Sequence, residues 1–223
     1  MATYLVPLAA TAALSALAVV LPWRWEALPW RVVGGLLGGV LLIAELSWWA
    51  YLASREGWTA ATGLPLELCD VTAVVGAVAL WWRRPLLVEL LWFWGVAGGL
   101  LAILTPELPA AFPSWLFFQY YLVHGGIVVA PLLLTVGLRV WPRPGAVWWV
   151  GAVTLGYGLC MGVVNILTGG NYLWLRHPPT TPNLLDLLGP WPWYLLSMAA
   201  VAFVVLLVLQ APFAIARRRA SDT

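Results

Sequence analysis

The sequence predicts an all-α, polytopic membrane protein with seven transmembrane helices, and three observations lead to this fold class. Hydrophobic residues make up 63% of the 223-residue chain and charged residues only 9%, whereas soluble domains carry roughly 25% charge. The apolar residues gather in seven long runs, each near the ~20 residues that cross a bilayer. The arginines lie mainly between alternate runs. We therefore expect a single seven-helix transmembrane domain over residues 1–223.

The seven runs are expected to be continuous helices, because backbone N–H and C=O groups in hydrocarbon must pair within their own segment. Their predicted bounds are Tyr4–Leu21, Val32–Leu52, Leu64–Trp82, Leu86–Leu104, Trp115–Leu138, Ala146–Leu167 and Trp193–Ala214. No Lys or Arg precedes the first run, so we interpret it as a retained helix rather than a cleaved signal peptide. In the long sixth connection, residues Asn183 to Leu188 are expected to form an amphipathic segment at the membrane surface.

The placement of the arginines predicts how the helices are oriented. All eleven basic residues are arginine, and with seven spans nine of them fall on one side of the membrane. Only Arg55 and Arg176 fall on the other side. Because positive residues remain cytoplasmic, we expect the N-terminus outside and the C-terminus in the cytoplasm. Many of the 17 tryptophans lie near the two predicted edges, which is typical of interfacial aromatic belts.

Composition and motifs exclude several function classes. No basic stripe is present for nucleic acid, and two cysteines in apolar runs form no disulfide framework. Phosphate-binding loops, dinucleotide fingerprints and nucleophile elbows are absent from the sequence. Cys160, which lies among Gly156, Gly158 and Gly162, is expected at a tightly packed helix interface.

The expected partners are membrane lipids, and no cofactor or metal is expected because no HxxxH or HExxH spacing occurs. The residues considered as metal ligands are His124, His177, Glu67 and Asp70. The sequence leaves the oligomeric state open.

Polar side chains within the runs are the candidates for function, since an ionisable group at the bilayer centre costs at least ~2.5 kcal/mol. Most of them fall in the predicted outer half. They are Glu45, Glu67, Cys69, Asp70, Gln119, His124 and Asn165, followed by Asn171 and Tyr172 in the outer connection. We expect helices two, three, five and six to converge here on one cavity. Glu89, at the inner edge, is expected to pair with Arg83 or Arg84.

Each candidate has a structural interpretation beside the functional one. Cys69 as a nucleophile needs a nearby base or a helix N-terminus; otherwise it is a small hydrophobic residue. His124, followed by two glycines, is either a general base or a neutral histidine bonded between helices. Glu67 and Asp70, three residues apart, are expected to share a helical face. They then share a proton, bind a cation or pair with an outer arginine.

Three blocks carry a resemblance to a known family. They are Leu64–Cys69 (LPLELC), Gly170–Leu175 (GNYLWL) and Leu185–Tyr194 (LDLLGPWPWY), and His124 accompanies them. These residues resemble the bacterial YwaF-like integral membrane proteins over roughly helices two to seven. That group is similar to the eukaryotic TMEM164 proteins, which are regarded as acyltransferases acting on phospholipids through a cysteine and a histidine. The resemblance implies a multi-pass protein of the bacterial inner membrane.

Carried over by position, His124 matches the family's histidine. In the eukaryotic relatives the cysteine directly follows the proline, where this chain has Leu66, and Cys69 comes three residues later. The resemblance implies a lipid-active enzyme that performs acyl transfer or hydrolysis, with Cys69 as nucleophile and His124 as base. Glu67 is expected to orient the imidazole. The expected substrate-binding residues are Asp70, Glu45, Gln119, Asn165, Asn171 and Tyr172, of which the last three are candidate oxyanion donors.

A proton-coupled transporter or a small-molecule binding protein is the alternative, because intramembrane acids and a histidine are also typical of such proteins. Against it, the predicted inner half offers no polar path, and the sequence shows no paired broken helices. A scaffold without chemistry is the third possibility.

Overall fold

The structure, a computed structural model, describes residues 2–108, 110–178 and 184–221. These residues contain no strand, and the predicted all-α fold class is confirmed. The long helices among them are α1 Ala2–Arg24, α2 Trp30–Ser54, α3 Leu68–Trp82, α4 Pro85–Leu104, α5 Trp115–Gly137, α6 Ala146–Thr168 and α7 Trp193–Ser221. Short 3-10 helices cover Tyr172–Trp174 and Leu184–Leu188.

Of these helices, six in the described residues are long and apolar enough to cross a membrane, and α3 is shorter. Its 15 residues span ~22 Å at the rise of an α-helix, less than the ~30 Å hydrocarbon core. The orientation of the termini stays a prediction. Of the predicted amphipathic segment, Asn183 lies outside the described residues.

The start of α3 differs from the prediction, and the difference changes the site. The apolar run begins at Leu64, but the helix begins at Leu68. Pro65 explains part of this delay, since the residue before a proline is pushed out of the helical region. Glu67 therefore precedes the helix, and the prediction that Glu67 and Asp70 share a helical face is wrong. Cys69 is the second residue of α3.

The chain divides into two compact units. Unit 1 contains residues 2–51 and 68–143, which hold α1, most of α2, and α3 to α5. Unit 2 contains residues 52–67 and those from 144 onward, which hold α6, α7 and their connections.

In unit 1, α5 packs against α1, α3 and α4, and glycines set the closeness of these contacts. A Cβ at Gly95 of α4 would collide with the backbone oxygen of Ile127, and one at Gly99 would lie 2.7 Å from Val128. A Cβ at Gly137 of α5 would collide with the backbone of α1. Small residues allow transmembrane backbones to approach in this way. The polar residues of α5 are therefore held close to α4 backbone groups.

An ion pair joins the start of α4 to the connection between α5 and α6. Glu89 is fully buried, and its two carboxylate oxygens accept hydrogen bonds of 2.8 Å from Nε, Nη2 and the backbone N–H of Arg143. These hydrogen bonds, and then the carboxylate charge, raise the pKa of Arg143. The predicted pairing with Arg83 or Arg84 is wrong. Arg83 instead donates from Nη2 to the backbone oxygen of Trp30 at 3.1 Å.

In unit 2, the expected packing around Cys160 is also wrong. Cys160 is exposed on α6, and no other part of the described chain lies within 4 Å of a Cβ built at Gly156, Gly158 or Gly162. Glycines permit close packing only where a second helix is present. In the described structure α6 meets α7 elsewhere, where the Trp148 ring lies 5.5 Å from the ring of Phe203 and Gly151 contacts the same phenylalanine.

We expect Glu89→Gln to lower the thermal unfolding midpoint of the purified protein by several degrees. The substitution removes the charge and one acceptor oxygen from a buried site where three donors converge. Arg84→Gln, which removes a sequence-predicted partner, is the matched control and should unfold like the wild type. Equal midpoints for wild type and Glu89→Gln would contradict the importance of this pair.

Candidate functional site

Two buried carboxyl groups meet in unit 1, one from α2 and one from α3. Glu45 is 0% exposed and Asp70 is 8% exposed, and the two side chains interact electrostatically. Trp49 Nε1 donates to Glu45 Oε1 at 2.5 Å, whereas Glu45 Oε2 has no hydrogen-bond partner among the described residues. Two ionised carboxylates in such surroundings would repel each other without water to screen them. We therefore treat the pair as the holder of one proton.

Gln119 of α5 contacts α2 next to Glu45. Its Nε2 donates to the backbone oxygen of Ala44 at 3.4 Å, and the side chain is buried. On the other side, Gln119 helps to line an open groove of about 410 Å³ between α2 and α5. Apart from Gln119 and Ser47, this groove is lined by apolar residues, namely Val40, Ile43, Ala44, Trp115, Phe118 and Leu122.

A second cluster contains the thiol of Cys69. The side chain is half-buried and packs against an apolar core that includes Ala73 and Val123. A Cβ at Gly98 of α4 would lie 3.8 Å from Cys69 Sγ. The sulfur therefore lies where α3, α4 and α5 come together.

His124 borders the same part of α4, since a Cβ at Gly99 would lie 3.1 Å from its backbone oxygen. Its Nδ1 lies 2.8 Å from the backbone oxygen of Tyr120, and the two rings are 4.1 Å apart between centroids at an interplanar angle of 32°. A carbonyl oxygen only accepts, so Nδ1 carries the proton and Nε2 keeps the lone pair. The Tyr120 hydroxyl donates to the backbone oxygen of Ala102 at 2.9 Å. Tyr120 thus contacts the imidazole through both its backbone oxygen and its ring.

The other predicted site residues lie in unit 2, and the structure gives them partners there. Asn165 is fully buried; its Oδ1 accepts from the backbone N–H of Tyr172 at 2.7 Å, and its Nδ2 donates to the backbone oxygen of Tyr172 at 2.9 Å. The Tyr172 hydroxyl donates to the backbone oxygen of Ala60 at 2.9 Å and accepts from the N–H of Leu64 at 3.0 Å. We call this arrangement the Asn165–Tyr172 bracket.

Asn171 and Glu67 also bind backbone groups of unit 2. Asn171 Oδ1 accepts from the N–H of Arg176 at 2.8 Å, and its Nδ2 donates to the backbone oxygen of His177 at 2.9 Å. Glu67 Oε2 accepts from the N–H of Leu173 at 3.3 Å. Oxyanion donation from Asn165, Asn171 or Tyr172 would therefore require an exchange of partners, and that role stays a prediction.

The structure thus places the predicted site residues in two sets. Unit 1 brings together Glu45, Cys69, Asp70, Gln119 and His124, and unit 2 brings together Glu67, Asn165, Asn171 and Tyr172. Tyr120 and Gly98 were not among the site residues predicted from the sequence. A signal for Tyr120 was present, since it lies four residues before His124 and such residues share a helical face. Within the described ranges, no group of three or more His, Cys, Asp or Glu side chains is placed to hold a metal ion.

We expect Tyr172→Phe to loosen the connection between α2 and α3 while leaving the aromatic ring in place. The substitution removes the hydroxyl that holds Ala60 and Leu64, and a buried polar group left without a partner costs about 1–3 kcal/mol. Tryptic cleavage after Arg55, in the same connection, should therefore become several-fold faster. Tyr4→Phe, an exposed tyrosine of α1, is the control, and an unchanged cleavage rate in Tyr172→Phe would contradict the bracket's role.

Comparison with known proteins supports a family assignment. Over 203 residues the chain is 26% identical to a protein of Treponema pallidum (strain Nichols) described as uncharacterized, and the match covers 90% of this chain and 83% of that relative. No solved structure matches. The closer resemblance to the YwaF-like group stays a prediction. The TMEM164 family model matches residues 1–210, and the chain therefore belongs to the TMEM164 family.

Proposed function

We propose that this protein is a membrane-embedded enzyme that removes an acyl group from a phospholipid and transfers it to an acceptor or to water through Cys69 and His124. The observation that carries the proposal is that Cys69 and His124 border adjacent glycines of α4. A Cβ at Gly98 would lie 3.8 Å from Cys69 Sγ, and one at Gly99 would lie 3.1 Å from the backbone oxygen of His124. The bond from Nδ1 to the Tyr120 carbonyl leaves Nε2 as the basic nitrogen. A thiol and a neutral imidazole are the groups needed for nucleophilic acyl transfer. Membership of the TMEM164 family and the apolar helices support a lipid substrate.

The reaction balances with these two side chains. Nε2 of His124 takes the proton of the Cys69 thiol, and the thiolate attacks the ester carbonyl carbon. The carbon–oxygen bond to the lysolipid then breaks, and the leaving alkoxide takes the proton from the imidazolium, which leaves an acyl thioester on Cys69. An acceptor hydroxyl or water next gives its proton to Nε2 and attacks the thioester. The thiolate leaves and recovers the proton.

The surroundings of Cys69 support its activation. It is the second residue of α3, where the positive end of the helix dipole favours a thiolate. Asp70, the next residue, opposes this effect when it is ionised. A single proton shared by Asp70 and Glu45 reduces the negative charge beside the thiol. The buried carboxyl pair therefore has a place in the proposed chemistry without contacting the substrate.

The predicted orientation places the start of α3 near the outer membrane surface. Phospholipid esters lie between the headgroups and the hydrocarbon core. A nucleophile in the first turn of a transmembrane helix is thus at the depth of its substrate bond. We propose that the ester reaches Cys69 sideways from the outer leaflet.

The experiment uses the full chain in nanodiscs that contain phosphatidylethanolamine with a labelled acyl chain. We expect a hydroxylamine-sensitive acyl adduct on the wild type and on Cys160→Ser, and none on Cys69→Ala. His124→Gln should slow adduct formation by about 10²–10⁴-fold, the range typical of a lost general base. The adduct is located by mass spectrometry of the two cysteine-containing peptides. An adduct that persists in Cys69→Ala, or that is lost in Cys160→Ser, would contradict acyl transfer through Cys69.

A proton-coupled carrier is the second candidate function, and the buried Glu45–Asp70 pair is the observation that favours it. Intramembrane acids that share protons are typical of such carriers. On the enzyme proposal, we expect proteoliposomes with wild-type protein to collapse an imposed pH gradient no faster than those with Glu45→Gln, as followed by an internal pH-sensitive dye. A proton flux that disappears in Glu45→Gln would favour the carrier instead.

A further inference from the structure

We infer that Tyr120 is the positioning residue for His124. It orients the imidazole, a role predicted from the sequence for Glu67. Its backbone carbonyl fixes which ring nitrogen carries the proton, and its side chain fixes the plane of the imidazole. The inference deepens the proposed function, on which its catalytic meaning rests. Its physical content is the state of the His124 ring, which is measured separately from activity.

The backbone carbonyl is the first element of the argument. His124 Nδ1 lies 2.8 Å from Tyr120 O, a normal distance for an N–H···O hydrogen bond. A carbonyl oxygen has two lone pairs and therefore accepts a side-chain donor in addition to a helical backbone N–H. Because it never donates, the bond forms only with the tautomer that is protonated at Nδ1. Nε2 is then the ring nitrogen that can take a proton.

The Tyr120 ring is the second element. The centroid separation of 4.1 Å and the angle of 32° place the imidazole against the phenol in a tilted arrangement, closer than the ~4.5–7 Å usual for aromatic pairs. A ring held in this way cannot rotate freely about its terminal torsion, which is otherwise broad for histidine. The ring contact therefore keeps His124 Nδ1 directed at the backbone oxygen of Tyr120.

Tyr120 can act as a platform because it is itself held at its far end. Its hydroxyl donates to Ala102 O of α4 at 2.9 Å. Gly98, whose Cβ position is 3.8 Å from Cys69 Sγ, lies four residues before Ala102 and so on the same face of α4. One face of α4 thus borders the thiol and anchors the phenol.

A carbonyl has an advantage over a carboxylate in this position. The third group of a catalytic triad holds the imidazole in the correct tautomer, and a neutral carbonyl does this without an additional charge inside the membrane. A charge there costs at least ~2.5 kcal/mol on insertion scales. Glu67 lies before α3, in unit 2, and its carboxylate accepts from the backbone of Leu173. The sequence-based orienting role of Glu67 is thus replaced by a group already present on α5.

The test exploits the small number of histidines. The chain contains only two, so ¹⁵N-histidine labelling of the full protein in bilayers yields two sets of side-chain signals, and His177→Asn assigns them. We expect wild-type His124 to show a protonated Nδ1 and an unprotonated Nε2. In Tyr120→Leu, which removes the ring, we expect a mixture of tautomers. Tyr120→Phe, which removes only the tether to Ala102, should lie between the two.

Tyr121→Phe is the matched control, because Tyr121 is the adjacent tyrosine and is buried against Phe117. Its His124 signals should match the wild type. Protonation at Nε2 in the wild type would overturn the inference. So would an unchanged tautomer in Tyr120→Leu, provided that the variant retains the wild-type thermal unfolding midpoint. If that variant unfolds early, the Tyr120→Phe spectrum decides alone, and signals identical to the wild type would count against the inference.

Kinetics separate this inference from the proposed function. At saturating phosphatidylethanolamine, we expect Tyr120→Leu to slow acyl adduct formation on Cys69 about 100-fold, as for a misplaced catalytic group, with little change in the lipid concentration for half-maximal rate. A Tyr120-dependent tautomer without any adduct in the wild type would support the positioning of His124 and contradict the enzyme. If the acyl adduct forms, but neither its rate of formation nor the His124 tautomer changes in the Tyr120 variants, the result would support the enzyme and contradict the positioning of His124 by Tyr120.

Discussion

Hydrogen bonding in a medium without water is the constraint on which both units depend. A polar side chain in the apolar helices has no solvent to bind, and backbone carbonyls supply much of what replaces it. In unit 1, carbonyls accept from Gln119, Tyr120 and His124. In unit 2, Asn165 bonds the N–H and the carbonyl of a single residue. Because a carbonyl only accepts, the bond to His124 also decides which ring nitrogen carries the proton.

The buried acidic side chains of unit 1 also lack water to solvate their charge. Where formal charges are buried in unit 1, the structure neutralises them in two different ways. Glu89 meets a guanidinium that provides two side-chain donors. Glu45 instead meets a second acid, Asp70, and we infer that the two share one proton because two ionised carboxylates would repel each other there. The first arrangement holds a helix start in place. The second lies beside Cys69, because Asp70 is the next residue of α3.

The features of this molecule that are local in sequence were largely predictable. Long apolar runs predicted the helices because hydrocarbon requires continuous hydrogen bonding along each span. The start of α3 was missed because the apolar run continues through Leu64, although Pro65 marked the helix boundary. The partner of Glu89 was missed because two nearby arginines were available in sequence, whereas Arg143 is 54 residues away and reaches the acid only through the packing of the helices.

The site shows the same division. Polar residues at unusual depth predicted which side chains matter, because their cost in the membrane is a property of each residue alone. Their grouping was not predictable, since it depends on which face of each helix meets which neighbour. Cys69 and Asp70 are adjacent on α3, yet one borders Gly98 of α4 and the other meets Glu45 of α2. A helix turns by about 100° per residue, so adjacent residues serve different neighbours.

The distribution of polar groups along unit 1 bears on the choice between enzyme and carrier. Both polar clusters involve the first turn of α3. Towards the other end of that helix, apolar side chains pack together, namely Ala79, Leu80, Val88, Leu91, Ala130, Leu133 and Leu134. The polar groups buried nearby already have partners, since Glu89 is bonded to Arg143 and Thr135 to the backbone oxygen of Pro131. A carrier must pass its cargo or its proton through such a region, and buried polar groups without partners are costly there. An enzyme that draws its substrate from one leaflet needs access from one side only, which the apolar packing at the other end of α3 permits.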